Sequence, residues 1–221
     1  MYTMIEFFSG SSRISDYFKS MGWNVLTVDY ESKFKADLCI NIYDHLDIEF
    51  YKNALGVSGI DFIWASPDCA TYSLAAGSKH RFKFGLPKSY YAKYCDNHNT
   101  KFIAWLKSLK IPFIVENPLG HFQNMEFVNG LYCYKVDYFS YGGKYLKPTC
   151  FFSNMFTLKF KKLRSRKEKV GTSIKNVSSS NYLERCYIPD LLIAAIYDNV
   201  YKFVLSQEST FSFTQISIFD L

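Results

Sequence analysis

Four short, unbroken apolar runs alternate with helix-like segments in the first half of the chain: MIEFF (4–8), NVLTVD (24–29), DFIWAS (61–66) and IPFIVEN (111–117). Strands that are apolar at consecutive positions are covered on both faces, and helices between them make the sheet parallel. SRISDYFKSMG (12–22) puts Ile14, Tyr17, Phe18 and Met21 on one helical face and stops at Gly22. HNTKFIAWLKSLK (98–110) does the same with Phe102, Ile103, Trp105, Leu106 and Leu109. The pattern predicts a doubly wound, mostly parallel α/β sheet, whose ligands sit at the carboxyl ends of the strands. FSGSS, VDYES, SPDC and ENP all fall there.

From about residue 119 the alternation weakens into aromatic strands (131–141 and 149–153), a basic stretch KFKKLRSRKEK (159–169) and loop-like GTSIKNVSSSN. IPDLLIAAIYDNVYKFVL (188–205) reads as one more helix, with Pro189 in its first turn. With 221 residues, 48% of them apolar, one domain with a sizeable core is expected over 1–205. Within it lies an irregular basic region at about 119–187, and 206–221 reads as a flexible tail. No apolar run approaches the ~20 residues of a spanning helix, and the amino terminus has no leader pattern, so a cytoplasmic protein is expected. Six cysteines include no C-x-x-C pair, which suggests free thiols and no metal site. A net charge of +6 leans weakly toward polyanion partners.

The edge loops carry the chemistry-bearing residues. Phe8, Gly10, Ser11 and Ser12 join a strand to a helix, where backbone amides approach a ligand closely; an ordinary strand-helix turn fits as well. Asp29 ends the second run, where a carboxylate holds a ribose in nucleotide folds, and Tyr30 beside it suits ring stacking. Asp37, in KADLC, suits an adenine amino group or plain solvent. Cys69 follows Pro67 on the loop leaving the third run, and Glu116 with Asn117 ends the fourth. A thiol and a carboxylic acid converging at one sheet edge suggest a covalent site.

FSGSS, VDYE, SPDCATYS and VENP, in this order, resemble the DNA cytosine-5 methyltransferase family, in the compact form common in bacteriophage genomes. The resemblance continues through GSKHRFKFGLPKS (77–89), YFSYGGKYLKPTCFFSN (138–154) and IPDLLIAAI (188–196), covering most of the chain except its tail. It implies S-adenosylmethionine as cofactor and double-stranded DNA as substrate, with location in the bacterial host cytoplasm if phage-encoded. It also implies that Cys69 adds to carbon 6 of a flipped cytosine, Glu116 and Asn117 serving the base. Phe8, Gly10, Ser11, Ser12, Asp29, Tyr30, Asp37 and Pro67 then line the cofactor. Lys79, His80, Arg81, Lys83 and Lys88, in a loop over 74–96, suit phosphates. Lys162, Arg164 and Arg166 suit a second backbone contact; the family's Q-x-R-x-R motif is not visible, KPTCFFSN standing in its region with Lys147 as the nearest basic substitute.

The chain departs from the family pattern in three further places. Asp68 replaces proline before the nucleophile, and a carboxylate facing the thiol opposes thiolate formation. Ser12 replaces a glycine. The segment after 119 is short for a target-recognition domain, so specificity is expected to be short, degenerate or supplied from outside. Two other readings stay open: an inactive relative that binds DNA or cofactor, and an amino-methyltransferase with SPDC as a decayed [DNS]-P-P-aromatic motif. QISIF (215–219) resembles the sliding-clamp peptide, with Gln215 for a polar site and Ile218 and Phe219 for an apolar pocket.

Overall fold

The computed structural model describes residues 1–74, 77–83, 85–144, 146–161 and 186–219, the side chains of 77, 78 and 208–219 excepted. The four apolar runs form strands β1 (Thr3–Phe7), β2 (Asn24–Asp29), β4 (Phe62–Ala65) and β5 (Phe113–Pro118), with a two-residue β3 (Leu38–Cys39) between β2 and β4. These five run parallel. β6 (Tyr132–Asp137) and β7 (Pro148–Ser153) form an antiparallel hairpin, and β7 lies antiparallel to β5. The spatial order is β3-β2-β1-β4-β5-β7-β6. The chain winds outward from β1 and returns to β4, which makes β1/β4 the point where strand order reverses.

Successive side chains along each strand serve two separate cores. On one face Met4, Val25, Phe62, Trp64 and Phe151 pack against α1 (Arg13–Ser20) and the last helix, which follows α2 to α4. Phe18 there is fully buried against Trp23, Phe62 and Tyr197, a burial that contributes about 2 kcal/mol. On the other face Ile5, Phe7, Ile63, Val115 and Phe152 meet α2 (Ile48–Leu55) and α4 (Tyr90–Ser108). A short α3 (Gly77–His80) precedes α4, and α5 (Asp190–Phe219) closes the first face.

Three expectations are corrected. The helix expected over 98–110 begins at Tyr90, because Ser89 caps it by accepting from Ala92 N at 3.1 Å. The strand expected over 131–141 stops at Asp137, whose side chain accepts from Phe139 N at 3.1 Å and turns 138–141 into a 3₁₀ turn. α5 runs to Phe219, well past the 188–205 expected for it. Among the described residues no helix is long and apolar enough to cross a membrane.

Candidate active site

Cys69 leaves β4 on a tight turn. Its carbonyl accepts from Tyr72 N at 3.0 Å and Ser73 N at 2.9 Å, and Asp68 caps the turn, Oδ1 accepting from Ala70 N at 2.9 Å. The segment after β5 presses on this turn: His121 N donates to Tyr72 O at 2.8 Å, and a Cβ on Gly120 would drive into that carbonyl. Asn117 Nδ2 donates to Pro67 O at 3.1 Å, so β5 holds the loop that carries the thiol. Pro67 is buried against this contact, and Asn117 Oδ1 is buried without a partner among the described residues.

Glu116 is buried on β5, and two groups from the 138–147 segment reach its Oε1: Tyr138 OH at 3.3 Å and Lys147 Nζ at 3.8 Å. Lys147 also lies 4.6 Å over the Tyr138 ring. That segment folds back at Gly142, whose φ of 82° suits glycine. Burial pushes the Cys69 thiol up to about 12; Glu116 adds to the rise, Lys147 opposes it, and Asp68 contributes less than either. The resting side chain is therefore a neutral thiol. Asp68 opposes the thiolate only weakly because it faces elsewhere: its Oδ2 accepts from Tyr91 OH on α4.

The other half of the edge belongs to β1 and β2. Phe8, Gly10 and Ser12 all adopt left-handed φ, 56°, 49° and 54°. Two of the three carry side chains, at about 1–2 kcal/mol each, a strain kept only where neighbours enforce the shape. Ser12 thus takes up a conformation that favours glycine. The enforcing bonds are Ser9 N to Val28 O (3.2 Å), Ser12 N to Ser9 O (2.8 Å) and Gly10 N to Asp29 Oδ2 (2.9 Å). Asp29 Oδ1 accepts from Glu31 N at 2.9 Å, and Phe8 packs its ring 5.6 Å from Tyr43. Ser9 Oγ is buried without a partner among the described residues, and nothing lies within 4 Å of a Cβ built on Gly10. An orphaned hydroxyl and open space over a strained, amide-rich turn fit a small polar ligand such as the expected cofactor. Ser11 is exposed there, and Tyr30, 65% exposed, stands free for stacking.

One expected role changes. Arg81 is not a phosphate contact: its side chain is fully buried, bonded to Thr71 O (2.7 Å), Gly85 O (3.0 Å) and both Asp96 oxygens (2.6 and 3.0 Å). It rivets the loop to α4, and Asp96 also accepts from Tyr72 OH at 2.8 Å. Asp37 spends Oδ2 on Thr27 N (2.8 Å) and Thr27 Oγ1 (2.7 Å), which ties the residue before β3 to β2, while its side chain stays exposed. Lys79, Lys83 and Lys88 are exposed, while His80 is half-buried with Nδ1 3.0 Å from Ser89 Oγ. Lys162, Arg164 and Arg166 lie outside the described residues, as do the side chains of Gln215, Ile218 and Phe219. Tyr91, Tyr138, Asp96 and Gly120 were not singled out by sequence; only Tyr138 sits in a quoted motif, YFSYGG.

No protein-family model and no curated protein sequence matches the chain. Among solved structures, the Entamoeba histolytica methyltransferase EhMeth is similar at TM-score 0.50 and 16% identity, over 73% of this chain and 55% of that one. The chain has a Rossmann-like methyltransferase fold. A DNA modification methyltransferase encoded within an E. coli prophage is similar at TM-score 0.49 and 17% identity, over 69% of this chain and 46% of that one. The S. pombe Dnmt2 methyltransferase follows at 0.46 and 10%, over 77% and 59%. The chain spans about half the length of these structures.

Proposed function

We propose that this protein is a DNA methyltransferase that moves a methyl group from S-adenosylmethionine to carbon 5 of cytosine through a covalent Cys69 adduct on a flipped base. The observation that carries the reading is the meeting of Cys69 with Glu116 and Lys147 at the carboxyl edge of a methyltransferase-type sheet. Carbon 5 of cytosine is too weak a nucleophile by itself, so a thiolate must first add at carbon 6. The Cys69 thiol, neutral at rest, bonds carbon 6 through its sulfur while its proton passes by way of Glu116 to the ring nitrogen, so no free thiolate is needed between turnovers.

Tyr138 and Lys147 both approach Glu116 Oε1, leaving Oε2 to pass the thiol's proton on to the ring nitrogen and make carbon 6 electrophilic. Lys147 stabilises the developing thiolate. Asn117 positions the nucleophile through Pro67 O. Ser9, Gly10, Ser12 and Asp29 would hold S-adenosylmethionine, with Tyr30 against its adenine. When bound, that cofactor supplies an electrophilic methyl group. Lys79, Lys83 and Lys88 meet DNA phosphates around the site.

Incubation with S-adenosylmethionine labelled at its methyl group and unmodified DNA, followed by nucleoside mass analysis, tests this reading. Label in 5-methyldeoxycytidine is expected; label at an amino group would move the assignment to an amino-methyltransferase. One observation favours a non-catalytic relative, namely a thiol held up to about 12. Cofactor binding without transfer in the same assay would support that second reading.

A further inference from the structure

Asp68 and Cys69 point to opposite halves of the sheet edge. Cys69 feels the charges of Glu116 and Lys147, from β5 and the segment before β7, more strongly than that of Asp68. Asp68 instead bonds Tyr91 on α4, and its charge is felt at Tyr30, after β2, and at Tyr43, whose ring packs on Phe8. A continuous row of rings, Tyr91, Tyr94, His98, Tyr43 and Phe8, joins it to the β1 turn. The carboxylate is held at both oxygens, Oδ1 by Ala70 N and Oδ2 by Tyr91 OH, and each keeps accepting capacity. Asp68 is thus an oriented anion on the side of the edge where the strained turn and the orphaned Ser9 hydroxyl lie.

We infer that Asp68 is the residue by which this protein distinguishes a cationic methyl donor from its uncharged product. The inference rests on the methyltransferase reading above. Carbons 5 and 6 of a pyrimidine are bonded neighbours, so a donor that methylates one must reach close to a thiol that attacks the other. The residue beside that thiol, turned toward the β1 turn, then borders the donor sulfur. In S-adenosylmethionine this sulfur is a sulfonium with one positive charge; in S-adenosylhomocysteine it is a neutral thioether. The two molecules are otherwise alike, including their ammonium and carboxylate groups, so a fixed anion near the sulfur separates them by charge alone. Proline at this position offers no such discrimination. Because the positive charge disperses as the methyl group leaves, the anion favours donor binding and product release and does not speed the chemical step.

The test measures dissociation constants by titration calorimetry on the full chain for three ligands: S-adenosylmethionine, S-adenosylhomocysteine and sinefungin, in which an amine-bearing carbon replaces the sulfonium. The variants are Asp68→Asn and Asp68→Ser; serine keeps a side-chain oxygen for Ala70 N, and each variant is checked by thermal melting. The natural chain is expected to prefer both cationic ligands over S-adenosylhomocysteine, and both variants to lose about tenfold of that preference, mostly by weaker binding of the cations. Ratios unchanged in a folded variant would overturn the inference and leave the methyltransferase reading intact. Binding of none of the three ligands by the natural chain would overturn both.

Discussion

Asp68 is the residue whose meaning the fold changes most. In sequence it stands beside the thiol as an obstacle; in the structure it caps the turn that carries Cys69 and gives its other oxygen to Tyr91. A second carboxyl has a consequence for stability. Burial pushes Glu6 from an ordinary 4.5 up to about 7, although Ser15 N donates to it at 2.9 Å and Ser15 Oγ also donates. A raised folded pKa means the folded chain binds a proton that the unfolded chain has released. The stabilisation is complete below about 4.5 and is lost as pH rises through about 7. Glu6→Gln keeps an acceptor for Ser15 and removes the charge, so it should raise the melting temperature at pH 8 by several degrees. That gain corresponds to roughly 3 kcal/mol. At pH 5 the gain should largely vanish; an equal gain at both pH values would show that Glu6 does not titrate in this range.

At the scale of elements, the Cys69 turn is a clamped piece. Arg81 fastens one side of it to Asp96 on α4, and the Gly120–His121 backbone closes the other. Gly120→Ala forces a Cβ into the Tyr72 carbonyl, so thermal melts should show a loss of about 1–3 kcal/mol, with methyl transfer falling more steeply than stability. A variant with natural stability and transfer rate would mean the contact is not needed. The strands and α1 were legible in sequence because their apolar periodicity is a local property. The edge loops were legible because chain order alone puts FSGSS, VDYE, SPDC and VENP at one end of a parallel sheet. Arg81 was misread because its partner, Asp96, is fifteen residues away on a helix whose polar first half, YYAKYCDNH, hides its own start. Tyr91 and Tyr138 leave no local trace, since only tertiary packing brings their hydroxyls to Asp68 and Glu116.

Across the whole molecule, two apolar cores hold the sheet from either face, and the groups around Cys69 and the β1 turn sit on strand ends and loops at one rim. The rim divides into a β1/β2 half with a strained turn and a β5/β7 half with Glu116, Lys147 and the thiol, and the Asp68–Cys69 step joins them. This division suits a reaction in which one ligand donates and another is activated, each from its own side. The most direct measurement uses a DNA duplex with 5-fluorocytosine at the target position, incubated with S-adenosylmethionine and resolved under denaturing conditions. Fluorine blocks the loss of the carbon 5 proton that would release the thiol, so the natural chain should form a stable protein–DNA adduct and Cys69→Ser should form none. An adduct that persists in Cys69→Ser, or methylated cytosine produced without any trappable adduct, would contradict the account.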